Sequence, residues 1–222
     1  MSWKNQFSSS IGKKIQMSLT GLFLIVFLIV HCYVNAQIFY NDNGKSFNEA
    51  AHFMGTNFII RSVEIGLFAF LFLHIIQGLS LYFKNKSKRP VKYAVSAGNA
   101  TSKWYSRSMA ILGTLILMFL IVHLAHFWVP NRYEQTFSGH EKDLFIEMKN
   151  TFANPLVVLI YVLGCISLAW HLVHGFYSAF QTLGLNAKKY KSLIQLIGIG
   201  FSIIVPLIFM LMPIAIHLGM IK

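Results

Sequence analysis

Charge is what this sequence has least of. Charged residues make up 12% of its 222 positions, about half the ~25% of a soluble domain, while hydrophobic residues make up 55%. Such a composition excludes a disordered chain and argues against an ordinary water-soluble fold. Acids are scarcer still: 7 Asp+Glu stand against 19 Lys+Arg, for a net charge of +12. The basic excess is not a nucleic-acid signature, because no basic stretch is interleaved with stacking aromatics in a soluble domain. There are only two cysteines, Cys32 and Cys165, so neither a disulfide framework nor a cysteine-held cluster is expected. Both read as small apolar packing residues. The sequence also lacks a Gly-rich nucleotide motif, internal repeats and low-complexity tracts, so it reads as one domain.

What is present is length in apolar runs. Five segments, at about 15–38, 58–83, 109–129, 156–180 and 193–220, are each long enough to cross a hydrocarbon core of ~30 Å at ~1.5 Å per residue. In lipid the backbone must satisfy its own hydrogen bonds, and no period-two alternation supports a barrel, so all five are expected to be helices. The expected fold is an all-α integral membrane protein, a bundle of five transmembrane helices. The first segment has a basic start and a Val34-Asn35-Ala36 stretch that superficially resembles a processing site. Its apolar run exceeds the 7–15 residues of a signal peptide, so it reads as a span. Trp104, Tyr105 and Trp128 sit where aromatic belts form, and Pro206 and Pro213 are expected to kink the fifth helix.

The charges between the segments are sorted by side. One side carries Lys4, Lys13 and Lys14, then Lys84, Lys86, Lys88, Arg89, Lys92, Lys103 and Arg107, then Lys188, Lys189 and Lys191. The other carries six basic residues and all seven acids, Asp42, Glu49, Glu64, Glu134, Glu141, Asp143 and Glu147. By the positive-inside rule the N-terminus is cytoplasmic and, after five crossings, the C-terminus is outside. The acid-free inner face suits anionic lipid, and it also suits an acidic or polar soluble partner.

Nine histidines carry the chemistry. His52 and His140 fall in outer loops and His217 near the outer end of the fifth span, but His31, His74, His123, His126, His171 and His174 lie inside four consecutive spans. Ionisable groups at that depth are costly and usually functional, although single ones also serve as helix contacts. His31 is 17 residues beyond Lys14 and His123 is 16 beyond Arg107, about 25 and 24 Å from the inner edge. His74 precedes Lys84 by 10 residues and His174 precedes Lys188 by 14, about 15 and 21 Å. Two pairs at two depths are what haem requires for an imidazole on each face of its iron. A zinc or copper site is disfavoured, since no His/Cys/carboxylate set has the spacing. His123 matches the depth of His31 better than His126 does, and Gly175 after His174 leaves room for a flat ring. His31, His123, His74 and His174 are therefore the expected axial ligands, with His126 and His171 as haem neighbours or alternative ligands.

The run Thr20-Gly21-Leu22-Phe23-Leu24 leading to His31, and the run His171-Leu172-Val173-His174-Gly175-Phe176 with Gln181-Thr182-Leu183-Gly184, resemble the first and fourth helices of a known family. That family is the diheme cytochrome b membrane-anchor subunits of succinate:quinone oxidoreductases, the anchors of succinate dehydrogenases and some fumarate reductases. The resemblance implies two haems b, with His74 and His174 on the proximal one and His31 and His123 on the distal one. It further implies a bacterial cytoplasmic-membrane location and membrane quinone, menaquinone or ubiquinone, as substrate. A flavoprotein subunit carrying FAD and an iron–sulfur subunit would dock on the cytoplasmic side, with higher oligomerisation of the complex left open. The chain's share of the enzyme would be electron transfer and the quinone site only.

Quinone chemistry needs proton donors near the ring. Glu64 is the one acid inside an expected span, either ion-paired with Arg61 one turn earlier or exchanging protons with quinone, and Glu49 is its rival. Gln16 and Ser18 are placed to line an inward pocket instead. Two other functions fit parts of the pattern: the cytochrome b anchor of a hydrogenase or formate dehydrogenase, and a haem-free proton-coupled transporter using the histidines as a relay.

Overall fold

A computed structural model of the protein describes residues 9–87, 103–139, 141–185 and 187–222. Lys4, Lys88, Arg89, Lys92 and His140 lie outside the described residues. The described elements are helical: α1 Ser10–Ala36, a 3₁₀ turn Gln37–Tyr40, α2 Lys45–Thr56, α3 Phe58–Ser87, α4 Trp104–Arg107, α5 Met109–His123, a π turn Leu124–Trp128, α6 Val129–Phe137, α7 Leu144–Phe152, α8 Pro155–Thr182 and α9 Lys191–His217. Five runs are long and apolar enough to cross a membrane, at Ile11–Tyr40, Phe58–Ser87, Met109–Phe137, Pro155–Thr182 and Lys191–His217. The all-helical architecture and the five spans are as expected.

The ends of the helices follow from local chemistry. Ser9 caps α1 by accepting from the Gly12 amide at 3.0 Å. Asn154 caps α8 through the Leu156 amide at 2.9 Å, with Pro155 at the first helical position where no donor is needed. Gly184 and Gly219 are left-handed, at φ +73° and +67°, and each closes the preceding span with a paired amide–carbonyl return of the Schellman type. That ends α9 at His217, three residues before the boundary expected from hydropathy. The third span runs on instead, to Phe137 rather than residue 129. Pro130 cannot donate to the carbonyl of His126, and the π turn just before it absorbs the missing bond without breaking the helix. Pro206 and Pro213 likewise lie within an unbroken, tightly packed α9.

Four spans form a ring. α1 packs against α3 and α8, and α5 packs against α8 and, more thinly, α3, so that α1 faces α5 across one diagonal and α3 faces α8 across the other. α9 lies outside the ring, against α8 and α1. One end of the bundle, here the basic end, carries Lys13, Lys14, Lys84, Lys86, Lys103, Arg107, Lys188, Lys189 and Lys191, and the opposite, acidic end carries all seven acids.

The tightest apolar cluster lies at the acidic end. There α2 and α7 fold over the spans and bury Phe47, Phe145, Met148 and Phe152 against Ile38, Tyr161, Met212 and Ile216. Gly44 enters α2 at φ +77°, and a Cβ there would meet the Phe145 ring at 2.2 Å, so only glycine fits the turn. Elsewhere the spans present Leu, Ile, Val and Phe outward, as a lipid-facing surface requires. Phe152 is 2% exposed, and Phe152→Ala is expected to cost about 3–5 kcal/mol, read as a lower melting temperature in detergent.

Candidate functional site

The imidazoles meet where the two diagonals cross the bundle axis, at two levels. Toward the acidic end, His31 of α1 and His123 of α5 approach edge to face with ring centroids 5.8 Å apart. Toward the basic end, His74 of α3 and His171 of α8 approach similarly at 6.2 Å. Each of four helices therefore supplies one imidazole, and neither pair joins adjacent helices.

His171, not His174, is the residue turned toward His74. His174 stands one turn nearer the basic end, with its ring 6.4 Å from Tyr105. The expectation of His174 rests on the room left by Gly175, and the depth measured to Lys188 overshoots α8, which stops at Thr182. Counted from the helix ends at Thr182 and Ser87, His171 lies 11 residues in and His74 lies 13, about 16 and 20 Å. Gly175 does not face an opposing ring either; the nearest side-chain atom to a Cβ there is Cδ2 of His171 on the same helix, at 4.0 Å.

The glycines that matter lie on the other diagonal. A Cβ on Gly21 of α1 would come within 3.4 Å of His74 Cε1, and one on Gly113 of α5 within 3.9 Å of His171 Cε1. The basic-end level thus has imidazoles on α3 and α8 and side-chain-free backbone on α1 and α5. Gly21 precedes His31 by ten residues, and Gly113 precedes His123 by ten, so the two levels are about 15 Å apart along both helices.

Polar partners divide in the same way at both levels. Thr20 Oγ1 lies 3.2 Å from His74 Nδ1, and Asn35 Nδ2 lies 3.3 Å from His31 Nδ1, so α1 anchors one ring of each pair. The other two, His123 and His171, keep Nδ1 buried and without a hydrogen-bond partner. An unsatisfied buried polar atom costs about 1–3 kcal/mol, which is tolerable at a site built to bind something. Aromatic rings enclose the acidic-end pair: Phe27 stacks on His31, Phe119 on His123, and Phe209 of α9 stands 5.4 Å from His31. Through Phe209 the fifth span helps to close this level.

Among the described residues no three His, Cys, Asp or Glu side chains converge as a metal cluster, and both cysteines are buried and unpaired. Two imidazoles alone do not complete a tetrahedral zinc shell. They do complement a metal whose in-plane ligands come from its own macrocycle, and the paired rings, the opposing glycines and the apolar walls all fit a haem. His126, in the π turn, is committed elsewhere, with Nδ1 3.0 Å from the Tyr161 hydroxyl and its ring stacked on the phenol.

The acids expected to serve quinone lie at the acidic end. Glu64 is ion-paired with Arg61 at 2.9 Å, as the simpler reading had it, and it also takes two bonds from Arg132, at 2.9 and 3.0 Å, and one from Trp128 Nε1 at 2.6 Å. The contact with Arg132 follows from the third span continuing past Pro130, and Trp128, placed in an aromatic belt by the sequence, also holds Glu64. Hydrogen bonds run on from Arg132 through Gln135 and Glu141 to exposed His52, lining an open cleft of about 350 Å³. Glu49 is exposed on α2. At the basic end, Gln16 Oε1 accepts from Gln77 Nε2 at 2.9 Å, and Ser18 is buried.

Compared with known proteins, the chain is 28% identical over 173 residues to the succinate dehydrogenase cytochrome b558 subunit of Bacillus subtilis (strain 168), covering 76% of this chain and 78% of that one. The likeness bears out the resemblance carried by the first and fourth spans. No family model matches the chain, and no solved structure matches it significantly.

Glu64 and Arg132 are each about one-fifth exposed. Arg132→Ala is expected to lower stability by about 1–3 kcal/mol, measured by thermal unfolding in detergent, and adding Glu64→Gln should recover part of the loss.

Proposed function

We propose that this chain is the membrane-anchor cytochrome b subunit of a succinate:quinone oxidoreductase, carrying electrons between an iron–sulfur subunit and membrane quinone through two haems b. The observation that carries this reading is the presence of two facing imidazole pairs, at two levels and on the two diagonals of one four-helix ring, in a chain similar over three-quarters of its length to a succinate dehydrogenase cytochrome b subunit.

In this reading His31 and His123 hold the distal haem, and His74 and His171 hold the proximal one. His171 takes the place first given to His174 because it is the imidazole that faces His74. When bound, haem iron with an imidazole on each face exchanges single electrons and offers no vacant position to oxygen. The chain supplies the rest. The helices fix the level of each ligand, Gly21 and Gly113 admit a flat ring against backbone, and the aromatic walls of the acidic-end level exclude water. His126, bonded to Tyr161, and His174, beside Tyr105, are then neighbours of the two levels rather than ligands.

The charge sorting supports a cytoplasmic basic end, with the N-terminus inside and the C-terminus outside. The soluble flavoprotein and iron–sulfur subunits would dock at that end, where the proximal pair lies. Quinone would react at the acidic end, near the distal pair. There Glu64 is the carboxylate placed to exchange a proton with quinone, and the hydrogen-bonded side chains around it hold it beside an open cleft that reaches the surface at His52. Its two arginines hold it in place, and Glu49 is the more accessible acid.

Haem quantitation with a reduced-minus-oxidised spectrum tests the core of the reading. Two haems b per chain are expected, and a colourless protein would end it. Replacing His31, His74, His123 or His171 singly with leucine should remove at least one haem, whereas His174→Leu should retain both. Loss of a haem in His174→Leu but not in His171→Leu would return the proximal ligand to His174. Glu64→Gln is expected to leave both haems and to slow quinone-dependent turnover by about a hundredfold; unchanged turnover removes Glu64 from the proton path.

A further inference from the structure

The α1–α3 interface is closed by three polar cross-links on successive turns. Lys13 Nζ donates to Ser80 Oγ at 3.3 Å, Gln77 Nε2 to Gln16 Oε1 at 2.9 Å, and Thr20 Oγ1 meets His74 Nδ1 at 3.2 Å. The partners descend one helix as they climb the other, so each contact fixes the register of the next. Between such apolar helices, interhelical hydrogen bonds are a main source of specificity. The last of the three ends on an imidazole of the basic-end pair.

The direction of that contact can be worked out. Thr20 has one hydroxyl proton, and its oxygen lies 2.9 Å from the Gln16 carbonyl and 3.1 Å from the Met17 carbonyl of its own helix. Carbonyls only accept. With the proton directed to those two oxygens, the hydroxyl presents a lone pair to His74, which must donate Nδ1–H. Beside Thr20, Gly21 leaves the imidazole edge against bare backbone.

The acidic-end pair is built differently. Asn35 Nδ2 donates to the His31 carbonyl at 2.8 Å, which fixes the amide with its nitrogen toward the ring. The ring of His31 is thus set by Asn35 and that of His74 by Thr20, so the two levels have separate polar partners.

We infer that Thr20 is a positioning residue for His74: its hydroxyl holds the imidazole in the Nδ1–H form, frees Nε2 to bind the iron of the basic-end haem, and makes that ligand more electron-rich than it would be without the hydroxyl. A donating Nδ1–H raises the basicity of the opposite nitrogen and stabilises the oxidised metal. The basic-end haem is accordingly held at a lower potential than it would have without Thr20, while the acidic-end haem is indifferent to this residue. This inference rests on the bis-imidazole haem reading given above.

The test is a spectroscopic redox titration of the whole purified complex carrying Thr20→Val, which keeps the shape and removes the lone pair, beside Thr20→Ser, which keeps the hydroxyl. The basic-end component is identified beforehand as the one lost in His74→Leu. Expected in Thr20→Val are two haems per chain, a midpoint raised for the basic-end component alone, and a return to the unsubstituted value in Thr20→Ser. Loss of the basic-end haem in Thr20→Val with retention in Thr20→Ser would equally support the positioning role. An unmoved basic-end midpoint, an equal shift of both components, or a serine variant that behaves like valine would overturn it. A complex whose unsubstituted form lacks two haems would instead sink the underlying reading, and haem quantitation separates the two failures.

Discussion

An imidazole inside a hydrocarbon layer has few partners to choose from, and that constraint organises this molecule. Water is absent and backbone groups are occupied within their own helices, so a polar ring is either bonded by a neighbouring helix or left bare. Here α1 bonds one ring at each level and leaves the opposite ring bare. The resulting pairs cross the diagonals of the ring of helices, which means that no two adjacent helices can hold a level by themselves. Function at either level requires the whole four-helix ring to assemble.

Division of labour among the helices follows from the same geometry. At the basic-end level α3 and α8 give imidazoles while α1 and α5 give glycines. α1 and α5 then give the imidazoles one level on. α1 and α5 thus carry an imidazole at one level and a glycine at the other. The short helices α2 and α7 cover the acidic end with a packed apolar lid of their own, which leaves the charged residues there free to form networks.

Much of this was legible in the sequence because membranes impose coarse rules. Five apolar runs correspond to the five spans, and the acids gather at one end of the bundle. Matching depths brought His31 and His123 together correctly. On α8 the depth ruler overshoots, because Lys188 lies six residues beyond the helix end at Thr182, and a charge marks the water, not the last helical turn. Gly184, left-handed after Thr182, was the better marker. The third span departs in the opposite way: its apolar run ends near residue 129, and the π turn carries the helix past Pro130 to Arg132, the main partner of Glu64. The roles of Gly21 and Thr20 were out of reach, since only the crossing of α1 and α3 reveals what stands opposite them.

The ten-residue interval from Gly21 to His31, repeated from Gly113 to His123, is set by covalent helix rather than by any loop. One extra residue within either interval would turn the imidazole by about 100° around its helix, away from its mate, as well as lengthening the run. Segments joining the spans face no such arithmetic and are free to drift in length. Insertions and deletions in related chains should therefore collect between the helices and avoid these two intervals, whose length is the protein's internal gauge.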